Sequence, residues 1–169
     1  MGEHVNHDTR EQLIGQYANG YDIIVEALRD ITAEEMDARE APGEWSPREV
    51  IHHLADSEMT SAMRLRLLLV EDNPPIRGYD EAAFARRLWY DRPVELSLDA
   101  FRLARATTVQ ILARMSDADW QRSAIHSESG RFSATDWLES YAAHAPEHAD
   151  QIRRARATVT AGVSTTRAS

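Results

Sequence analysis

The sequence predicts an all-α chain folded as a four-helix bundle with a long crossover between its second and third helices. Three observations predict it. Four segments of roughly 18 to 25 residues repeat apolar side chains at helical spacing. Two of them open on capping signatures. No stretch alternates apolar and polar residues as a half-buried strand would. Helices that each carry one apolar face satisfy one another as a bundle.

The first helix is expected from about Thr9 to Leu28, with Leu13, Tyr17, Tyr21, Ile24 and Leu28 on one stripe. A turn or short helix, Thr32 to Glu40, follows and is broken by Ala41-Pro42-Gly43. The second long helix starts at Ser46, with Pro47 in the first helical position and Glu49 placed to close a capping box. Its apolar stripe runs through Val50, Leu54, Ser61, Leu65 and Leu68 toward Val70, before Pro74-Pro75. From Glu71 to Leu96 the chain reads as a connection with at most one short helix, around Asp80 to Trp89. That is longer than a bundle hairpin needs and long enough to cross the bundle, which makes helices two and three parallel. The third helix is expected from Ser97 to about Met115. The fourth opens on the cap Ser133-Ala134-Thr135-Asp136 and runs to about Ala157. The domain thus spans 9–157, between a flexible N-terminus, 1–8, and a small, polar tail, 158–169, expected to be disordered.

A chain of 169 residues with 43% hydrophobic and 28% charged residues can bury a core as one domain. Its net charge of −9 argues against a nucleic-acid partner, which needs a basic face. All 19 basic residues are arginine, a bias of codon usage rather than of mechanism. The absence of cysteine excludes disulfides, thiolate metal ligands and a cysteine nucleophile. The N-terminal MGEHVNHDTREQ has no basic segment before an apolar run, and the longest apolar run, Leu67 to Val70, is far short of a span. These features predict a cytoplasmic protein with no membrane partner.

The chemistry concentrates in the fourth helix. His144 and His148 are four residues apart, so they lie one above the other, about 5–6 Å apart at Cβ. Two imidazoles at that spacing can share one metal ion with Zn–N bonds of roughly 2.1 Å. Trp137, Tyr141, His144, His148, Gln151 and Ala155 share a stripe, while Asp136, Glu139, Asp150, Arg153 and Arg154 take the outer face. The histidines therefore point inward. Burying them costs a few kcal/mol unless a metal, or other polar partners, satisfies them. Gln151, Tyr141 and Trp137 are the neighbours expected to support or line such a site. Glu147, at the edge of the stripe, is either a base or an acceptor for a ligand, or simply a solvated glutamate.

Helix two offers a third ligand. His53 borders the apolar stripe, whereas His52 falls near the opposite side and is expected in solvent. A zincin motif is ruled out, because Ala145 stands where its glutamate must follow the first histidine. A di-iron bundle is ruled out too. Glu49 and His52 form one Glu-x-x-His pair, but Glu147 is followed three residues later by Asp150. Pro146 removes a backbone donor between the two histidines and can either splay them or tune their aim. Glu58 and Arg64 read as structural polar pairs, and Trp89, Tyr90 and His126 as loop residues that either line a pocket or pack the loops.

The string from Glu44 to Glu58, with Trp45-Ser46, His53-Leu54-Ala55 and Glu58, resembles the second helix of the DinB/YfiT-like metalloenzyme superfamily. His144-x-x-x-His148-x-x-Gln151-Ile152 resembles its closing motif, and Gly78-Tyr79-Asp80 and His126-x-x-x-Gly130 are similar as well. The likeness covers roughly Thr9 to Arg156. It implies a bundle of unusual crossing topology, a three-histidine site on His53, His144 and His148, and frequent homodimers. It also implies one of two activities on a small molecule. These are metal-dependent hydrolysis and S-transfer or isomerisation with a low-molecular-weight thiol such as mycothiol or bacillithiol. A non-catalytic metal-binding stress-response protein is the alternative. One divalent ion per chain is expected, and three imidazoles suit Zn, Ni or Fe.

Overall fold

The first helical stripe is continuous in the sequence but not in space. The computed structural model describes the backbone of residues 7–166 and the side chains of residues 8–160. It divides the stripe into α1 (His7–Ala18) and α2 (Gly20–Ala27). The cause is a distant arginine. Arg105 Nη1 donates to the Tyr17 carbonyl at 2.8 Å. A Cβ at position 20 would lie 1.7 Å from that same nitrogen. The guanidinium occupies the space of a side chain at residue 20, so only glycine fits there.

The cap signatures form as expected. A further capping box, Thr32 with Glu35 at the start of α3 (Ala33–Met36), was not among them. In α4 (Pro47–Val70) Glu49 N–H donates to Ser46 Oγ at 3.4 Å, and Glu49 Oε2 accepts from Ser46 N–H at 2.8 Å. The crossover holds β1 (Pro75–Ile76) and α5 (Glu81–Arg87), and leads into α6 (Glu95–Leu112). After α7 (Asp117–Trp120) come β2 (Ser123–His126) and β3 (Gly130–Ser133). The last helix is α8 (Ala134–Thr166), where Ser133 and Asp136 bond reciprocally at 2.7 and 3.1 Å. It runs past Ala157, the end suggested by periodicity. Of the segments expected to be flexible or disordered, residues 1–6 and 167–169 lie outside the described residues.

The three strands correct the expectation of none. Strands of two and four residues are too short to display alternation. Their pairing, β1 parallel to β2 and β2 antiparallel to β3, joins two connections remote in sequence.

Side-chain partners fix the helix directions. His52 of α4 meets Ser97 of α6, Glu58 meets Arg105, and Arg66 meets Thr108, so α4 and α6 run parallel. His53 faces His144 while Ser61 receives the Trp137 indole N–H, so α4 and α8 run antiparallel. Gln16 reaches Ala142 and Arg156 reaches Ala27, so α1–α2 and α8 are parallel. The order is up, down, down, up, and the crossover is what permits two consecutive parallel helices.

Two apolar clusters fill the bundle. One holds Tyr17, Leu65, Leu68, Leu112, Trp137 and Leu138 toward the sheet. The other holds Ile24, Val50, Leu54, Phe101 and Ile152 toward the opposite end. Between them along the helices lies a buried ion pair, Arg105 Nε to Glu58 Oε2 at 2.7 Å. Arg105 Nη2 donates to the Tyr141 carbonyl at 2.6 Å, and the Tyr17 hydroxyl donates to Glu58. One charged layer therefore ties α1, α4, α6 and α8.

His52 is not in solvent. Because α6 lies alongside α4, the side of α4 that would be the outer face of a simple hairpin is covered, and His52 is 0% exposed. Its Nδ1 accepts from the Ser97 hydroxyl at 2.8 Å and its Nε2–H donates to the Arg92 carbonyl at 3.0 Å. The His52→Ala variant should lose about 2–4 kcal/mol of stability from the cavity and the two orphaned partners. Its metal content should equal that of the wild type. Thermal melts with metal analysis would check both, and an unchanged melting temperature would contradict the burial.

Candidate metal centre

The seventh residue of α4 and the middle of α8 bring three imidazoles together. His144 Nε2 lies 3.2 Å from His53 Nε2 and 3.1 Å from His148 Nε2. One ligand atom from each of the three falls within 4.8 Å of the others. Pro146 does not splay the pair, because α8 continues through it. The carbonyl it deprives of a helical donor is that of Ala142, which accepts instead from Gln16 Nε2 at 3.1 Å.

Burial sets the protonation of this cluster. Desolvation first, then the charge of His148, depresses the His53 pKa to about 3. His144 is held well below the usual imidazole value, again mainly by burial. His148 is lowered by burial, with the Gln151 hydrogen bond pulling the other way. All three are therefore neutral near pH 7. His148 Nδ1–H donates to Gln151 Oε1 at 2.8 Å, which leaves the Nε2 lone pair facing inward. The His53 Nδ1 is buried with no hydrogen-bond partner. The Trp45 ring lies 4.6 Å from His53 and stacks on His148 at 6.5 Å, closing one side.

These residues fit a divalent cation. One ring nitrogen carries either one proton or one lone pair, so His144 Nε2 cannot satisfy two facing nitrogens at once. A cation accepts all three lone pairs, and a tetrahedral ion with bonds of about 2.1 Å needs ligand atoms about 3.4 Å apart. The observed 3.1 and 3.2 Å are close to that.

The other expected residues divide. Gln151 supports His148 directly. Tyr141 lies with its ring 6.0 Å from His144, and its hydroxyl accepts from Arg64 Nη1 at 3.0 Å. Arg64 therefore bridges to the layer beside the site, whereas Glu58 is purely a structural partner of Arg105. Trp137 is corrected from pocket to core. It is 0% exposed, packed between Tyr17 and Tyr141, and its indole is used up by the Ser61 carbonyl at 2.9 Å. Sharing the histidine stripe two turns away puts it deeper in the bundle rather than at the site. Glu147 is exposed beside His148. Trp89 is 71% exposed, Tyr90 is buried on His52 and donates to Asp56, and His126 belongs to β2.

Three residues at or beyond the triad were given no site role from sequence. Trp45 was visible only as part of a motif. Ser57 follows His53 by one turn, so helical phase could have placed it. Tyr79 comes from the crossover, where no periodicity points to a facing.

Comparison with known proteins agrees with this architecture. The model of the DinB superfamily matches residues 16–152. A protein of Oceanobacillus iheyensis named "Putative metal-dependent hydrolase" is 37% identical over 123 residues, 73% of this chain and 72% of the relative. One of the same name from Bacillus mycoides is 30% identical over 79% of this chain and 77% of its own length. Among solved structures, YfiT from Bacillus subtilis superposes with a TM-score of 0.88 at 24% identity, covering 95% of this chain and 93% of that one. It is described as "a probable metal-dependent hydrolase with an unusual four-helix bundle topology". The four-helix bundle protein TT2238 matches with a TM-score of 0.60 at 22% identity, over 84% of this chain and 96% of that one. With most of its length matched by the family and by relatives of similar size, this four-helix bundle belongs to the DinB superfamily.

Proposed function

We propose that the protein is a metal-dependent hydrolase of a small molecule, with His53, His144 and His148 as the three ligands of one divalent ion. The observation that carries this reading is the convergence of three neutral Nε2 atoms, 3.1 and 3.2 Å apart, on one point. Three protein ligands leave a coordination position for substrate, as in catalytic rather than structural sites. When bound, the ion supplies Lewis-acid chemistry toward a substrate carbonyl. The chain does the rest. Gln151 holds His148 in the tautomer that presents its Nε2 lone pair. Trp45 keeps water from one side. The names of the relatives support hydrolysis. A second reading, S-transfer with a low-molecular-weight thiol, draws on the absence of cysteine, which leaves any sulfur nucleophile to the substrate.

The assay uses protein purified without a nickel column, loaded with zinc, nickel or iron(II), and offered p-nitrophenyl acetate, a chromogenic amide and a thiol-conjugation substrate. Turnover should vanish on chelation, return on reloading and be absent in His144→Ala. Turnover that needs thiol would favour transfer over hydrolysis. Equal rates in variant and wild type would remove the catalytic claim and leave a metal-binding protein.

A further inference from the structure

The edge of α4 that carries His53 continues through Ser57 to Arg64, because steps of four and seven residues return to nearly the same side of a helix. On α8, Tyr141 precedes His144 by three residues. Since the two helices are antiparallel, Ser57 lies displaced from His53 and Tyr141 from His144 in the same direction, by about 6 and about 4.5 Å along the axis. Both are nearly buried, at 5% and 9% exposure.

Over this layer lies the start of the crossover. The Arg64 guanidinium donates to the Tyr141 hydroxyl at 3.0 Å and to the Arg77 carbonyl, and sits 5.9 Å from the Tyr79 ring centroid. Among the described residues it has no carboxylate in ion-pair contact. The Tyr79 hydroxyl is buried, and Ser57 lies beside it on the side of the phenol oxygen, where it can donate, so the phenol's own proton has no acceptor. Burial raises both phenols, Tyr79 to about 12, so they stay protonated at neutral pH. Tyr141 accepts from Arg64, which leaves its own proton to give. The acidic groups facing this layer are Glu81, Glu128 against Gly78, and Glu58, which is neutralised by Arg105. The Glu81 pKa is raised by burial and by Glu128, against the pull of Arg64.

We propose that Ser57, Tyr79 and Tyr141, with Arg64 behind them, form an anion subsite one helical turn from the three histidines, which binds a carboxylate or phosphate carried by the substrate. A buried phenol with no acceptor for its proton, beside a guanidinium that meets only neutral oxygens, is costly alone and is satisfied by an acceptor of opposite charge. The axial step places that group two or three carbon atoms from the bond held at the histidines. The subsite rests on the metal-site reading above for its position, and on this chain's own hydroxyls and guanidinium for its chemistry.

The test is calorimetric binding of three hydroxamates to the zinc-loaded protein. Succinate monohydroxamate carries a carboxylate at the required distance, 3-phosphonopropionohydroxamate a phosphonate, and butyrohydroxamate neither. One of the two acids should bind about ten-fold or more tightly than butyrohydroxamate, the scale of a charge-assisted hydrogen bond. Which acid wins identifies the group. The preference should fall toward one in Arg64→Gln and drop several-fold in Tyr79→Phe, which removes a single oxygen and keeps the ring packing. Equal affinity for all three hydroxamates in the wild type, or a preference that survives both substitutions, overturns the subsite while the metal site stands. No hydroxamate binding at all overturns both.

Discussion

Replacing Arg105 by Met should lower the melting temperature by roughly 10 °C, the largest loss of stability expected from one substitution outside the histidine cluster. The side chains of Arg105 and Glu58 are 2% and 0% exposed. Removing one partner of such a pair costs about 3–5 kcal/mol, because the other charge stays buried without compensation. In a domain of this size each kcal/mol shifts the melting temperature by about 2–4 °C. The loss reaches further than the ion pair, since the carbonyls of Tyr17 and Tyr141 also lose their donors. Glu58→Leu combined with Arg105→Met should recover part of the loss, because no unpaired charge remains. Thermal denaturation of both variants decides it. A loss under about 1 kcal/mol in the single variant would show that water reaches the layer.

Wild-type protein should hold one equivalent of divalent metal per chain, and His144→Ala should hold none. His144 is the sharpest test because its Nε2 is the atom that faces both others. Saturating metal should raise the stability of the wild type by about 3–4 kcal/mol at 100 to 1,000 times the dissociation constant, and leave the variant unmoved. Gln151→Leu should weaken metal affinity about 10- to 100-fold without abolishing it. The pH dependence has a definite sign. The folded histidines bind protons below their ordinary value, His144 well below it and His53 near pH 3. Protons therefore compete poorly with metal through pH 5–6. In the metal-free protein the unfolded chain takes up protons below about pH 6.5 while the folded chain does not. Stability is thus complete above that value and declines as the pH falls toward 3. Elemental analysis with melts across pH 4 to 8 would measure both. A full equivalent of metal retained by His144→Ala would sink the assignment.

Local chemistry was legible in the sequence wherever it was also local in space. Ser46 and Ser133 cap as their neighbours dictate, and His144 with His148 converge because four residues is about one turn. The parallel pair α4 and α6 followed from the length of the connection. What escaped was set by atoms far along the chain. The first helix breaks at Asn19 because Arg105 takes the Tyr17 carbonyl, and residue 20 is glycine because the same guanidinium fills its side-chain space. His52 is buried because the crossover returns α6 to a face that phase alone leaves open. Trp137 shares the histidines' stripe but lies at a different depth, and a helical wheel contains no depth. The short strands exist only because two connections meet.

The replacement of a lost helical donor at Ala142 by Gln16 joins the first helix of the chain to the last. Arg105 does the same for Tyr17 and Tyr141. In an up-down-down-up bundle the terminal helices are neighbours, so the contacts that complete the core close loops of nearly the full chain length. Such closure is slow compared with pairing along the chain. During synthesis α4 and α6 emerge together with a buried arginine whose remaining acceptor on α8 does not yet exist. The histidine cluster, two of whose members are on α8, is complete only once that helix has docked. Truncation of α8 before Ile152 should leave an aggregation-prone chain rather than a smaller bundle.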